Sequence, residues 1–256
     1  MYTERQDQII KYLADVKSAK IEQLAKEFDV SNETIRRDLF DLEREGVIKR
    51  IRGGAVFNTL LAHEMEFSKK LGNHQEEKQA IARMAVEYID DNDAIAMSNG
   101  TTNIALARQL ARMRQNLTII TNSHEVAAAA NEGSSHKVIL TGGQMRKHNG
   151  SMIGSLCLDC IGQFRVDKAI VNIDGVSIEN GIMEYNTEEA AVIRHMLSIS
   201  QTKMVLAEYR KFNEMAMNVI CPAAQIDVIV TDWNVSAKEI KAWAEAGVKV
   251  ISAEKE

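Results

Sequence analysis

Two adjacent arginines, Arg36 and Arg37, stand inside a run whose apolar residues recur with helical spacing. Ile35, Leu39 and Leu42 follow an i, i+4, i+7 pattern, which places them on one face of a helix and Arg37 nearly opposite. An arginine on an exposed helix can donate two hydrogen bonds to one guanine in the major groove of B-DNA. A helix that reads DNA bases is therefore one interpretation of this spacing.

The exposed side of this helix and the basic segment after it supply the candidate DNA contacts. Ser31 is a good N-cap for a helix that runs to Glu45, with Gly46 as its stop. Residues Val47 to Arg52 read as a short strand of a two-stranded wing, and Gly53-Gly54 as a tight turn. Side chains near the start of a recognition helix reach base edges, whereas basic side chains on a wing meet phosphates. The predicted DNA-binding residues are Ser31, Asn32, Thr34, Arg36, Arg37, Lys49, Arg50 and Arg52.

An alternative interpretation treats the two arginines as a solvated helix face. Charged helix surfaces are usually of this kind, and here Asp38, Asp41 and Glu43 are the available partners of Arg36 and Arg37. On its own, the charge pattern of the helix favours this alternative over DNA binding.

The elements before this helix favour DNA binding. Thr3-Glu4-Arg5-Gln6 matches a capping box and opens an apolar-periodic run, which predicts a first helix at about 3–16. Ile21, Leu24, Ala25 and Phe28 repeat with helical spacing and predict a short second helix. An order of helix, helix, turn, helix and wing is typical of a DNA-binding module.

The segment VSNETIRRDLFDLEREGVIKRIRGGA resembles the winged helix-turn-helix of the DeoR-type bacterial transcriptional regulators. The resemblance covers about residues 3–57 and includes the TIRRDL core, the LExxG stop and the R-x-x-GGA wing. It implies a DNA-binding domain over residues 1–57 and double-stranded operator DNA as the partner.

From Glu76 onward, helical patterns alternate with β-branched apolar runs. Such alternation predicts an α/β domain with a mostly parallel sheet over residues 76–256, after a linker over 58–75. The candidate strands are Ala94–Met97, Leu117–Thr121, Lys137–Leu140, Lys168–Ile173, Lys203–Ala207, Asp227–Thr231 and Val248–Ile251. The candidate helices are 77–89, 102–113, 124–131, 187–200 and 236–246.

Three predicted strand ends carry small polar residues: Asn99-Gly100-Thr101-Thr102, Thr121-Asn122-Ser123 and Thr141-Gly142-Gly143. Free N–H groups at a helix start bind anions, and glycine lets the backbone approach a ligand closely. Ligands of open α/β sheets bind beyond the carboxyl ends of the strands, so the three loops are expected to converge on one phosphorylated ligand. Any one of these loops alone is more often an ordinary strand-to-helix turn.

The DeoR-type resemblance continues through IARMAVEYIDDNDAIAMSNGTTNIALARQL, TNS, TGG, NIDGV and EYNTEEAAVIRHM, so it covers nearly the whole chain. It implies a sensor domain similar to the ribose-5-phosphate isomerase and CoA-transferase fold, a phosphorylated sugar or polyol effector, and no cofactor. The effector-binding residues that it implies are Gly100, Thr101, Thr102, Asn122, Ser123, Gly142, Gly143, Asp174, Gly175, Glu189 and Lys211. Arg146, which follows the third loop, is a further candidate because a guanidinium pairs well with phosphate, although a solvated loop is its commoner role.

Two departures from the family pattern affect the expected ligand. Ser98-Asn99 precedes Gly100 where the family often has Asp-Ser, and Glu208-Tyr209-Arg210 precedes Lys211 where it usually has Asp-Ser-Ser. The lost carboxylate and the added Tyr-Arg pair are expected to change the hydrogen bonds offered to the effector. The run MIGSLCLDCIGQFRVDKAIVNIDGVSIENGIMEY most resembles the glycerol-3-phosphate repressor branch of the family.

Composition limits the class of protein. The 256 residues carry a net charge of −5, and residues 1–56 hold eleven basic and eleven acidic residues, which argues against a nonspecific polycation. No apolar run is long enough to span a membrane, and the polar start of the chain predicts no secretory signal. Three cysteines, including Cys157 and Cys160, predict a cytoplasmic protein and lack the further ligands that a metal site needs.

The rival function is a sugar-phosphate isomerase with an appended DNA-binding module. Isomerisation needs a positioned carboxylate base, and Asp174, Glu184, Glu188 and Glu189 are available beside Lys211. Fold alone does not imply activity, so a repressor of a carbohydrate or polyol operon is favoured. A dimer or tetramer is expected, because one winged helix covers too few base pairs for high specificity.

Overall fold

The computed structural model describes residues 3–44, 47–57 and 73–255. The chain divides into two compact units, Met1–Lys69 and Lys70–Glu256. The predicted helix stop at Glu45 and Gly46, and residues 58–72 of the predicted linker, lie outside the described residues.

The described part of the N-terminal unit contains three helices: α1 (Glu4–Val16), α2 (Ile21–Glu27) and α3 (Asn32–Arg44). The predicted capping box of α1 is confirmed, since Thr3 and Gln6 exchange hydrogen bonds at its start. The predicted cap of α3 is confirmed as well, because the Thr34 N–H donates to Ser31 Oγ at 3.1 Å. The apolar face of α3 packs against the other two helices, and the core contains Ile9, Leu13, Leu24, Ile35, Leu39 and Leu42, all fully buried.

The wing of the N-terminal unit has one strand more than predicted. Strands β1 (Ser18–Lys20), β2 (Ile48–Ile51) and β3 (Gly54–Phe57) form an antiparallel sheet in the order β1-β3-β2. The turn between β2 and β3 lies at Arg52-Gly53, so the prediction that Gly54 is a turn residue was wrong. Gly54 is instead a strand residue that admits β1, since a Cβ there would lie 2.3 Å from the Ala19 carbonyl oxygen.

The C-terminal unit is an α/β domain, as predicted. Its elements are α4 (Gln75–Val86), β4 (Ala94–Met97), α5 (Thr101–Met113), β5 (Thr118–Thr121), α6 (His124–Asn131), β6 (Lys137–Leu140), β7 (Gln144–Met145), β8 (Met152–Ile153), α7 (Ser155–Gly162), β9 (Val166–Asn172), β10 (Gly175–Ser177), β11 (Gly181–Glu184), α8 (Thr187–Ser198), β12 (Ser200–Leu206), β13 (Asn218–Cys221), β14 (Val228–Thr231), α9 (Ala237–Glu245) and β15 (Lys249–Ser252). All seven predicted strands are present, within two or three residues of their predicted bounds.

These seven strands form one parallel sheet, in the order β15-β14-β12-β9-β4-β5-β6 among the described residues. From β4 the chain adds strands toward β6, and from β9 it adds them toward β15. The winding direction therefore reverses between β4 and β9, which creates a crevice at the carboxyl ends of those two strands. Helix α5 begins directly after β4, so its N-terminus faces this crevice.

Two small antiparallel elements were not predicted. Strands β10, β11 and β13 form a three-stranded sheet, and β7 pairs with β8. Each strand has two to four residues, which is too short for an alternating pattern to stand out. No helix among the described residues is long and apolar enough to cross a membrane.

Candidate DNA-binding and effector sites

Arg37 is exposed on α3 and contacts no charged partner within the described residues. Arg36 pairs with Glu33 at 3.2 Å, and the two side chains are 58% and 84% exposed. Such an exposed pair is weak and leaves Arg36 available to another partner. Asn32 is exposed beside them, and the Thr34 hydroxyl lies 2.9 Å from the Ser31 hydroxyl.

The alternative pairing of the two arginines with acidic neighbours is wrong for Asp38 and Glu43. Asp38 is buried, and its carboxylate accepts hydrogen bonds from Arg5 Nε at 2.7 Å and from an Arg5 terminal nitrogen at 3.3 Å. The hydrogen bond to Asp38 raises the pKa of the Arg5 guanidinium. Asp38 therefore ties the recognition helix to α1, and the face that carries Arg37 remains open.

Arg50 of the wing forms two hydrogen bonds with Glu43 of α3. Its Nε lies 2.6 Å from Glu43 Oε2, and its backbone N–H donates to Glu43 Oε1 at 2.8 Å. These hydrogen bonds, that of the backbone N–H first, lower the pKa of Glu43. Lys49 and Arg52 are exposed on either side of it along the wing.

A groove of about 340 Å³ lies between α3 and the wing. Its lining residues are Ile21, Arg36, Leu39, Glu43, Arg50, Ile51 and Gly54. The basic side chains of α3 and of β2 therefore face a common groove at this surface.

The loop after β4 lies at the crevice between the carboxyl ends of β4 and β9 in the C-terminal unit. Gly100 is pressed against the end of β9, since a Cβ there would lie 2.1 Å from Asn172 Oδ1. The Asn103 N–H donates to the same oxygen at 3.0 Å, while the N–H groups of Thr101 and Thr102 donate to no atom of the described chain. Two unengaged N–H groups at the start of a 13-residue helix favour an anion.

Two of the three predicted loops converge on this point. The Asn99 N–H donates to Asn122 Oδ1 at 3.0 Å, which joins the loop after β4 to the loop after β5. The side-chain amide of Asn122 donates to the Met152 carbonyl at 3.1 Å, and Asn122 is fully buried. Ser123 caps α6 by accepting from the Val126 N–H at 3.3 Å.

The third predicted loop lies beside the loop after β5, since the Thr141 N–H donates to the Thr121 carbonyl oxygen at 2.9 Å. A Cβ on Gly143 would lie 2.5 Å from the Ile153 carbonyl oxygen, and the Thr141 hydroxyl lies 3.3 Å from Cys157 Sγ. Gly142 is exposed with open space around its Cα. Gly143 therefore makes room for β8 and α7.

Glu189 joins several segments around the crevice. Its Oε1 accepts from Arg146 at 2.8 Å, from Asn149 at 3.2 Å and from the Ser151 hydroxyl, while Asn122 donates to its Oε2 at 3.4 Å. The Arg146 side chain is only 10% exposed, so the expectation of a solvated loop at Arg146 was wrong. Arg146 lies at the crevice as a buried partner of Glu189.

A second ion pair brings together two predicted effector residues. Lys211 Nζ lies 3.1 Å from Asp174 Oδ1, and both side chains are largely buried. The nearby Glu184 carboxyl has a raised pKa, because of burial first, then the charge of and a hydrogen bond to Asp174, and then the charge of Glu189. Gly175 starts β10 where a Cβ would lie 2.3 Å from the Glu214 carbonyl oxygen.

Sequence reasoning missed several polar residues of this site, namely Asn103, Asn149, Ser151 and Asn172. Asn172 belongs to the NIDGV run, so its position at a strand end was a usable signal. The departures before Lys211 pair with each other, since Arg210 Nε lies 2.8 Å from Glu208 Oε2. They add no unpaired carboxylate to the crevice.

The fold and these surfaces define a winged-helix protein with an α/β sensor domain. Family models match on both parts: a DeoR-like helix-turn-helix domain over residues 5–60 and a DeoR C terminal sensor domain over residues 73–233. The chain is 32% identical to the glycerol-3-phosphate regulon repressor of Escherichia coli (strain K12) over 90% of both chains. It is 32% identical to the transcriptional repressor CsqR of the same strain, over 89% of this chain and 87% of that one.

The chain belongs to the DeoR family of transcriptional repressors. Its relatives are repressors, so it is a regulator rather than an enzyme, and the isomerase alternative is set aside. The transcriptional repressor AccR of Agrobacterium fabrum is a further relative, 31% identical over 90% of this chain and 89% of that one. A solved D-ribose-5-phosphate isomerase aligns over 55% of both chains with 18% identity and a TM-score of 0.42.

Proposed function

We propose that this repressor controls a carbohydrate or polyol catabolic operon and leaves its operator when a phosphorylated sugar or polyol binds the sensor domain. The observation that carries the effector assignment is the pair of unengaged N–H groups of Thr101 and Thr102. They follow Gly100, where a Cβ would clash with the Asn172 side chain. One relative is named a glycerol-3-phosphate regulon repressor, which supports a phosphorylated three-carbon or larger polyol.

On the DNA side, Arg37 is the main base-reading residue, because it is exposed near the start of α3 and contacts no charged partner among the described residues. Arg36 joins it by leaving its exposed pair with Glu33. Thr34, Asn32 and Ser31 border the same end of the helix. Lys49 and Arg52 bind phosphates from the wing, which sets the register of the protein on the duplex.

On the effector side, the phosphate lies at Gly100, Thr101 and Thr102. The cations of this edge, Arg146 and Lys211, already pair with Glu189 and Asp174, so backbone N–H groups supply most of the attraction for the phosphate. The carboxylates of Glu189 and Asp174 are then placed to accept hydrogen bonds from hydroxyl groups of the sugar or polyol. Asn122 and Ser123 support the loops through hydrogen bonds, and Gly143 and Gly175 allow close backbone approach. Exposed Gly142 leaves open space for the effector.

Release of the operator requires that the effector bind one form of the protein better than the other, since a ligand with equal affinity for both shifts nothing. The repressor acts as a dimer or tetramer, because a single winged helix contacts too few base pairs. Its two partners are double-stranded operator DNA and the phosphorylated effector.

The DNA assignment is tested with Arg37→Ala and a matched control, Arg44→Ala, which removes the same charge from the far end of α3. The probes are a duplex selected from a random library by the wild-type protein and a shuffled duplex of the same composition. Loss of a bidentate guanine contact weakens binding to the selected duplex by about 1–3 kcal/mol, or roughly 5- to 150-fold. Arg44→Ala should lose much less. Equal losses for the two variants would contradict the assignment of Arg37.

The effector assignment is tested by thermal shift with matched pairs of phosphorylated and free sugars and polyols. A ligand present at 100 times its Kd stabilises the protein by about 2.7 kcal/mol, a clear shift for a domain of this size. Selective stabilisation by a phosphorylated compound, retained in Arg37→Ala, supports the division of labour between the two units. A stronger response to the free sugar would contradict the assignment of the Gly100 loop.

A further inference from the structure

Glu43 and Arg50 contact each other twice. Glu43 lies on α3 and Arg50 on β2, seven residues apart in the sequence. One carboxylate oxygen accepts the Arg50 backbone N–H and the other accepts its side-chain Nε. A contact to the backbone fixes the strand, and a contact to Nε fixes the direction of the guanidinium, so one carboxylate sets both.

A third side chain limits the guanidinium further. Phe40, one helical turn before Glu43, has its ring 5.2 Å from the Arg50 guanidinium carbon, in the geometry of a cation–π contact. Phe40 is 51% exposed, so its ring is accessible at the surface where it meets Arg50. The two terminal nitrogens of Arg50 make no hydrogen bond within the described residues, so they remain available to a ligand.

The position of β2 in the sheet explains why the hydrogen bond between Glu43 and the Arg50 backbone is important for the wing. Among the described residues, β2 is an edge strand that pairs with β3. Lys49 lies on β2, and Arg52 follows its end. The hydrogen bond that the Arg50 backbone N–H of β2 donates to Glu43 of α3 therefore restrains the wing relative to the helix. Both elements line the groove that carries Arg36.

We propose that Glu43 is a positioning residue for operator recognition: it holds the wing at a fixed distance from the recognition helix and aims the terminal nitrogens of Arg50 at the DNA backbone. The inference rests on the proposed DNA-binding role of α3 and the wing. Arg50 thus contacts DNA through its outer nitrogens while its Nε and backbone N–H stay on Glu43.

The negative charge of Glu43 allows a positioning effect on DNA affinity to be distinguished from a purely electrostatic one. A carboxylate near DNA repels phosphates, so removal of its charge by itself strengthens binding to any duplex. Loss of a positioning contact acts in the opposite direction, and only on the duplex whose backbone fits the fixed wing. The two effects therefore separate when binding to a selected duplex and to a shuffled duplex is compared.

The test is E43Q in the full-length protein, with Asp41→Asn as the matched control. Asp41 lies on the same helix, carries the same charge and forms no ion pair within the described residues. The glutamine amide of E43Q still accepts one N–H but turns a donor toward the other. We expect E43Q to bind the selected duplex about tenfold more weakly, and the shuffled duplex equally or more tightly, while Asp41→Asn weakens neither.

R50K provides an independent arm, because it keeps the charge and removes both the Nε donor and the planar stacking on Phe40. We expect R50K to lose about as much on the selected duplex as E43Q, and the double variant to lose no more than either alone. Behaviour of E43Q like that of Asp41→Asn, or additive losses in the double variant, overturns the proposal. If E43Q melts below the assay temperature, R50K decides alone, and wild-type binding by R50K overturns the proposal.

A separate outcome concerns the proposed function itself. If the wild-type protein binds the selected and shuffled duplexes equally, recognition by α3 fails before Glu43 is tested. A loss confined to the two Glu43–Arg50 variants, with a wild-type protein that discriminates, addresses the positioning role alone.

Discussion

Replacing Glu189 by glutamine should destabilise the sensor domain strongly, whereas the same change at its neighbour Glu188 should not. Glu189 Oε1 accepts from Arg146, Asn149 and the Ser151 hydroxyl, so three donors converge on one oxygen. A glutamine amide placed there either turns its own N–H groups toward these donors or toward Asn122. In both orientations the ion pair with Arg146 is lost, and the side chains involved are only 10% and 7% exposed.

The magnitude follows from that burial. Breaking a buried ion pair by removing one charge costs about 3–5 kcal/mol, and the retained amide dipole makes the lower end of this range the better expectation. For a domain of about 180 residues, 1 kcal/mol corresponds to a Tm change of roughly 2–4 °C. We therefore expect Glu189→Gln to lower the Tm of the C-terminal unit by about 6–12 °C. Glu188 is exposed, and surface changes are usually within about 0.5 kcal/mol.

The assay is differential scanning calorimetry of the three full-length proteins at one pH and salt concentration. Glu188 and Glu189 both lie in the first turn of α8, so the loss of negative charge near the helix N-terminus is the same in both variants and cancels in the comparison. If Glu189→Gln melts at the same temperature as Glu188→Gln, the converging hydrogen bonds are not a source of stability. The reasoning about Glu189 would then be refuted.

Three further predictions address other parts of the chain. Gly100→Ala places a methyl group where the end of β9 already lies, so the variant should lose stabilisation by phosphorylated ligands in thermal shift while it retains DNA binding. The pKa of Glu184 is raised above its ordinary value of 4.5, so the stability that its protonated form contributes is present below that value and is lost as the pH rises through the raised pKa. Urea unfolding of Glu184→Gln should accordingly show a flatter dependence on pH than wild type across that window, and an unchanged pH profile would count against the raised pKa. Arg5→Gln leaves the buried Asp38 carboxylate without its guanidinium and should lower the Tm of the N-terminal unit, measured by circular dichroism, more than Lys11→Gln on the same helix.

Local patterns in the sequence were sufficient for most of the secondary structure. The i, i+4, i+7 spacing and Ser31 identified α3, because helix faces and caps depend on residues three or four positions apart. The strands Ala94–Met97 and Lys137–Leu140 have their predicted bounds. Ala94–Met97 is largely buried and reads as a continuous apolar run, as strands inside a parallel sheet do.

The short antiparallel strands could not be predicted in the same way. Strand β1 has three residues and pairs with β3, which lies more than thirty positions later in the chain. Strands β10, β11 and β13 are also short, and each pairs with another short strand. Stability of such strands comes from their partners, and partners distant in sequence leave no periodic signal.

By itself, the sequence determined the DeoR-type organisation, helix α3 with its exposed arginines, and the small polar residues at the ends of the parallel strands. The tertiary structure alone decided which charged groups meet. Arg146 pairs with Glu189 across 43 positions and Lys211 with Asp174 across 37, and Arg50 binds Glu43 rather than remaining a free cation. The physical reason is that an ion pair depends on distance in space and on exclusion of water, and neither is set by the order of residues along the chain.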